Sequence, residues 1–597
     1  MNIKKLIMAM FMGMCSSLSF GEYYTTTVDG IDWNYECRDY WIGDEYLGEV
    51  AILRSWWGEE QQYYPGVSCP NGWYDGDVLT IPRTLDGKYL RVIEDSPFDY
   101  IQGMTEIVIP DTVWVLGYSA LSLSYGPNIE KIDLPSSLKA IGACAFYNLD
   151  IKSCVIPASV IEFGQQAFYS CDNLNNVSFL CNFNTLPYGT FEDCISLTEI
   201  VFPGSLERIE ERCFDSCSSL KTIQVPDTVT YIGNSAFEDC VSLSDIHLPL
   251  NLKVLGDSVF KNCQELEDVI LPDKLETIGR ATFENCLKLG SVTIPASVTN
   301  IGVMAFQGCN SLTNIVIDAK NKCYRMDKNC LVTMDGELVL ILGSNKTEVV
   351  LPDSVVTVGK GAFAGMTNLT TVILPDGITK LPDELFLDCK KLERVNIPDT
   401  VVDIGHSVFK GCSALCEIVI PDSVTNIGHS AFMNCSTLEA FQIPKSIDRI
   451  HHNLFSGCKK LKTVEIPENI RYISYEAFSD CELIESVVLH DGVSFEIDVS
   501  WYNGPGRRVF SGCKSLKTIR LPTIIKGIGS SMFRGCSSLQ TIEIPESVTS
   551  IGDSAFSGCS SLISFEIPKN ITEISSGMFR DCISLENIVI TSNIKKK

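Results

Sequence analysis

A proline stands every 23 residues through three stretches of this chain: at Pro203, Pro226, Pro249, Pro272 and Pro295; at Pro352, Pro375, Pro398, Pro421, Pro444 and Pro467; and at Pro522, Pro545 and Pro568. A period in the twenties constrains the fold more than any other feature, because each unit is one supersecondary element that can bury its apolar side only against its neighbours. The expected architecture is a solenoid. Residue clusters that recur by copying need no catalytic explanation.

Residues 226–248, PDTVTYIGNSAFEDCVSLSDIHL, serve as the template unit. Leu243 to Leu248 alternates with the period of a strand buried on one face, and the proline that follows ends the strand because it has no N–H for the ladder. Val229 and Ile232 form a second apolar edge, and Gly233 lets the chain turn. Ser235, Ala236 and Phe237 suit one short helical turn that drives the ring inward. Stacked copies put Phe214, Phe237, Phe260, Phe283 and Phe306 in a row, and likewise Phe363 to Phe478 and Phe510 to Phe579, each a row of core.

A strand of the form L-x-x-I-x-[LI]-P, preceded by Cys and followed by I-G-x-x-A-F, resembles the BspA-like leucine-rich repeats of bacterial surface proteins. The resemblance covers roughly residues 79–590. It implies an α/β solenoid with one curved parallel sheet, one strand per unit, and short helical or 3-10 turns on the convex side. It further implies a secreted or cell-surface protein that binds other proteins, in some members host matrix.

The ends and the composition fit export. Lys4 and Lys5, the apolar run 6–15 and the small residues Ser19 and Gly21 read as a signal peptide over residues 1–21. Residues 22–78 then form an N-terminal cap, 79–590 the solenoid and 591–597 a short basic tail. No later run reaches the 18 apolar residues of a membrane span. A net charge of −27 repels phosphate backbones, so nucleic acid is not an expected partner. No phosphate loop, nucleophile elbow, HExxH or EF-hand pattern occurs, so neither a cofactor nor catalysis is expected.

Sixteen of the 26 cysteines, from Cys171 to Cys582, occupy one slot three residues after the Phe. They read as a ladder of buried thiols whose S–H groups reach backbone carbonyls, rather than as disulfides or metal ligands. Cys37 with Cys69, and Cys323 with Cys330, are the disulfide candidates outside the ladder.

Three segments break the repeat. Residues 22–78 hold five of the seven tryptophans, including Trp56 and Trp57, and read as a β-rich cap that could also present an aromatic platform to a glycan or protein. Residues 318–349 read as two strands around Met334-Asp335-Gly336-Glu337, the Asp-Gly pair marking a hairpin. Residues 490–509 lengthen a surface loop. In addition, His406, His429 and His452 share one slot in consecutive units, where three imidazoles in line could hold a transition metal or titrate together. The same slot is Asn234, Asp257, Arg280 or Lys360 elsewhere, as an exposed and variable position would be.

With the sheet in this register, side chains two residues before each proline point outward. Ile270, Val316, Val350, Ile373 and Val419 then form an apolar stripe edged by carboxylates such as Glu348 and Glu417, the pattern of a protein-binding surface. The reading is a leucine-rich-repeat binding protein outside the cytoplasm, with a host-matrix protein or a glycan as the class of partner. A structural envelope protein without a specific ligand and a secreted glycan-active enzyme are the other readings.

Overall fold

The computed structural model describes residues 22–590 apart from residues 30, 43–44, 58–62, 65–66, 69–75, 100, 102, 123–128, 344–345 and 496–505. The expected signal peptide and the basic tail lie outside the described residues. Two compact units follow one another, residues 1–322 and 323–597.

Each 23-residue unit makes one coil, and the coils hydrogen-bond in parallel with the register of the repeat. The L-x-x-I-x-L strand of one coil lies on that of the next, as Thr222–Gln224 lies on Asp245–His247 with Ile223 opposite Ile246. The expectation of one strand per unit is incomplete. The residues around the isoleucine before the glycine form a second parallel ladder, which runs through six strands from Thr185–Leu186 to Asn300–Ile301. Two-residue strands such as Tyr231–Ile232 are too short to show the alternation that reveals a strand in sequence.

The helical turns are not present: among the described residues no segment is helical. The cause is local. Ser235 and Asp239, on either side of Phe237, have φ values of 54° and 57°, in the left-handed region that interrupts any right-handed turn. Alternate N–H groups of this corner bond across to the next coil, Ser235 to the Asp257 carbonyl at 2.8 Å and Phe237 to that of Val259 at 2.9 Å, so no continuous run of bonds along the chain forms. The position before each ladder cysteine is therefore restricted to residues that tolerate positive φ, such as Ser216, Asp239, Asn262, Asn285, Gly411 and Gly535. At Gly411 the restriction is also steric, since a Cβ there would stand 2.2 Å from Asp388 Oδ1.

Inside the coils the phenylalanines stack as a row. Centroids lie 5.2 Å apart for Phe214 and Phe237 and 5.7 Å for Phe237 and Phe260, with rings within 10° of parallel. The row begins earlier than the template indicated, at Phe146 and Phe168, 4.7 Å apart. Beside it runs the cysteine ladder, and in all sixteen coils the Sγ donates to the carbonyl of the preceding coil's phenylalanine. Cys240 reaches Phe214 at 3.1 Å, and Cys513, after the insertion, reaches Phe478 at 3.3 Å. All sixteen thiols are free, and burial pushes up those such as Cys240 and Cys389, the latter to about 12.

The N-terminal segment is built onto the second ladder. Strands Glu22–Val28, Ile31–Ile42 and Glu45–Leu53 pair antiparallel, and the last pairs in parallel with Lys88–Ile93, the first strand of the run through Val115–Leu116 and Ala140–Ile141. This sheet covers the ladder edge at that end, which would otherwise offer unpaired backbone groups. Trp33 and Tyr35 are buried beneath it, and the Tyr35 hydroxyl donates to Asp86 Oδ2 at 2.5 Å.

Residues 324–341 form three antiparallel strands, Tyr324–Asp327, Cys330–Thr333 and Glu337–Ile341, one more than the sequence indicated, with Gly336 at φ 93° in the expected turn. The third strand pairs in parallel with Thr357–Val358 and so joins the second ladder. The Cys323–Cys330 disulfide is ruled out here. Cys330 is a free thiol opposite Asp327, whereas the Cys323 carbonyl accepts from Met334, about 13 Å further along the hairpin at 3.3 Å per residue. Cys69, the proposed partner of Cys37, lies outside the described residues. In the 490–509 insertion, Ser494–Phe495 extends the second ladder beside Tyr472–Ile473.

Candidate ligand-binding surface

The outward side chains of the first ladder are those two residues before the proline, because the leucines and isoleucines on either side of them are buried. In residues 1–322, Ile270 is 85% exposed and Val316 47% exposed. In residues 323–597, Val350, Ile373 and Val419 are 59%, 42% and 82% exposed. Every residue of the expected stripe thus faces solvent.

The stripe is nevertheless a set of patches. Val350 and Ile373 are direct ladder partners, and Glu348, two residues before Val350, lies on the same face opposite Thr371. The next position is Asn396, whose side-chain amide donates to the Leu374 carbonyl at 3.1 Å and whose Oδ1 accepts the Leu374 N–H at 2.7 Å. That clamp separates Ile373 from Val419. Val419 and Ile270 lie in coils where the first ladder lapses: 416–420 carries no strand, and the coil of Ile270 keeps a single bridge, Asp268 to Ser291. Ile418 beside Val419 still packs against the core, and Val269 and Leu271 on either side of Ile270 are buried, so the period of two persists without the ladder. Glu417 is exposed beside Val419.

Trp56–Trp57 pairs antiparallel with Tyr63–Tyr64 through the backbone; their side chains lie outside the described residues. Another tryptophan of residues 22–78, Trp33, is core.

The histidine column is larger than the three residues of the repeat slot. His406, His429 and His452 stack face to face with centroids 4.8 and 4.1 Å apart, and the stack continues to Tyr475, 4.1 Å from His452. His451 packs edge-on against His429 at 4.5 Å. Asp383 Oδ1 accepts the backbone N–H of His406 at 2.8 Å, and His406 Nδ1 accepts that of His429 at 2.9 Å, so neutral His406 carries its proton on Nε2. Parallel rings set their nitrogens side by side, whereas a metal ion needs them to converge. Among the described residues no group of three or more His, Cys, Asp or Glu could hold one. No helix among them is long and apolar enough to cross a membrane.

A cluster the repeat pattern did not single out lies at the slot after the phenylalanine. Arg212 bridges Glu192 and Asp215 at 2.8 Å each, both carboxylates being buried. Desolvation, opposed by Arg212, raises the Asp215 carboxyl to about 6.

Five segments, 91–221, 185–313, 342–438, 379–503 and 506–596, match the BspA type leucine-rich repeat region. No curated protein matches the chain. Among solved structures, a leucine-rich repeat protein from Bacteroides ovatus shares 29% identity over 64% of this chain and 87% of its own, with a TM-score of 0.36. A leucine-rich cell surface protein from Faecalibacterium prausnitzii shares 19% over 96% and 99%, with a TM-score of 0.33. The pneumococcal vaccine antigen PcpA shares 18% over 77% and 95%, also with a TM-score of 0.33.

Proposed function

The chain belongs to the BspA-type leucine-rich repeat family, and we propose that it is an exported, non-enzymatic binding protein that holds a protein partner on the outward face of its first ladder. The observation that carries this reading is the Val350–Ile373 pair, two exposed β-branched side chains set side by side by ladder hydrogen bonds and flanked by Glu348. A rigid apolar pair rimmed by charge suits the centre of a protein interface, where desolvated aliphatic contacts contribute affinity and the rim contributes specificity. Val419 with Glu417, and Ile270 and Val316 in residues 1–322, present the same chemistry at further positions. The signal-like N-terminus and the surface role of the family support a location outside the cytoplasm, with host matrix and glycans as the partner classes to screen.

The test is a pull-down of purified matrix and envelope proteins with wild-type chain and with the I373K/V419K double variant. Both side chains are exposed, so the variant is expected to keep its circular dichroism and lose its partner. Undiminished binding by a folded variant moves the site elsewhere. Capture of nothing by the wild type favours the structural envelope role.

A further inference from the structure

The slot immediately after the core phenylalanine reverses its charge between the two units. In residues 1–322 it carries Glu192, Asp215, Glu238 and Glu284 with one cation, Lys261, which is paired with Glu238 at 3.0 Å; in 323–597 it carries no carboxylate, and Lys410, Arg534 and Arg580 occupy it. The reversal belongs to a wider asymmetry, with 42 acidic and 20 basic residues in 1–322 against 32 and 27 in 323–597. Its sharpest expression is residues 499–542, which hold seven basic residues and no acidic one in a protein of net charge −27.

Four of those seven are answered from the preceding coil: Arg508 by Glu476 at 3.3 Å, Lys514 by Glu482 at 3.2 Å, Lys517 by Glu485 at 2.8 Å and Arg520 by Asp491 at 3.4 Å. Arg534 and Arg580 are different. Both are exposed, and neither has a carboxylate partner among the described residues. They stand two coils apart in one column, about 10 Å at the spacing of adjacent strands. Ser511 and Ser557 occupy the same slot in the alternate coils, and a Cβ at Gly577 would lie 3.8 Å from Arg580 Nε, so that guanidinium lies over the corner.

We propose that this corner of residues 506–580 binds a linear anionic polysaccharide, with the Arg534 and Arg580 guanidiniums each taking one sulfate or carboxylate. Guanidinium forks suit either anion. Two unpaired guanidiniums held two coils apart, at about the length of one disaccharide, suit anionic groups on successive disaccharides of one linear chain. Nucleic acid is disfavoured because the acidic remainder of the chain repels a long phosphate backbone. This site is separate from the apolar face of the first ladder and does not rest on it.

The test measures binding of the full chain to immobilised dextran sulfate and polygalacturonate, with neutral dextran and a single-stranded DNA oligonucleotide alongside, over increasing salt. The informative variant is R534S/R580S, which places at each position the serine its neighbouring coils already carry. Salt-sensitive binding to one or both anionic glycans that falls at least tenfold in the folded double variant supports the site, and the preferred probe distinguishes sulfate from carboxylate. No binding at low salt, equal binding by the variant, or equal binding of neutral dextran overturns it. DNA binding as tight as that of the best glycan overturns the assignment to polysaccharide.

Discussion

Replacing Phe432 by alanine tests the load carried by the ring row. The ring is fully buried, stacked between Phe409 at 5.2 Å and Phe455 at 5.9 Å, with Phe441 tilted against it at 4.8 Å. Removing a ring so enclosed costs about 3–5 kcal/mol, the upper part of the range applying where the surroundings cannot collapse. Collapse is resisted here because both flanking coils are pinned by backbone bonds, Phe409 N–H to the Ala431 carbonyl at 2.8 Å and Phe432 N–H to that of Leu454 at 3.0 Å. Since each coil touches only its neighbours, the loss is felt locally, and a global melting curve understates it. Hydrogen exchange is the sensitive assay: at about 1.4 kcal/mol per tenfold, the amides of coils 409–455 are expected to exchange at least 100-fold faster. F579A supplies the comparison, because Phe579 is only partly buried, and it is expected to cost less than half as much. Equal protection in wild type and F432A, or an equal loss in both variants, would refute the inward, mutually supporting row.

Four further outcomes are expected. The fifteen buried ladder thiols resist a water-soluble maleimide in the native protein and label on unfolding, because the reagent cannot reach them, while the exposed Cys416 labels first and the half-buried Cys582 next; mass spectrometry of native and unfolded samples decides. Asp215, raised from 3.8 to about 6, carries more proton in the folded than in the unfolded state, so its contribution is fully present below about pH 4 and is lost as pH rises through about 6; D215N flattens that slope in denaturant titrations. G411V, forcing a branched side chain into φ 78° against Asp388, destabilises by at least about 1–3 kcal/mol, whereas G411N loses less because asparagine holds the same slot at Asn434. H406N retains an acceptor for the His429 N–H, whereas H406A loses it, so exchange of that amide quickens in H406A alone.

What could be read in the sequence was whatever the repeat enforces twice over. The alternation that placed Ile373 and Val419 outward, and the fixed offset from phenylalanine to cysteine, depend only on a period of two and on copying. Three features escaped that reasoning. The second ladder consists of pairs such as Tyr231–Ile232, too brief to alternate. The corner was expected to be helical because Ser-Ala-Phe is compatible with a turn of helix, yet the deciding residues were the Ser, Asp, Asn and Gly set before each cysteine, a visible signal for positive φ. His451 and Tyr475 join the histidine stack from a neighbouring slot and from a coil where the repeat letter had changed, so a search by letter passed over them.

The cysteine contact also bears on how such a chain can change length. From Cys389 to Cys559 each ladder Sγ donates to the coil before it, and from Phe363 to Phe556 each core phenylalanine N–H donates to the coil after it, so consecutive units in that run receive and offer the same bonds. Excising residues 421–443 would bring the donors of one coil to acceptors of identical kind, and duplicating them would do the same. Coil number is thus a quantity that recombination can adjust in whole steps, each moving the groups on either side apart by about one strand spacing without altering the chemistry of the join.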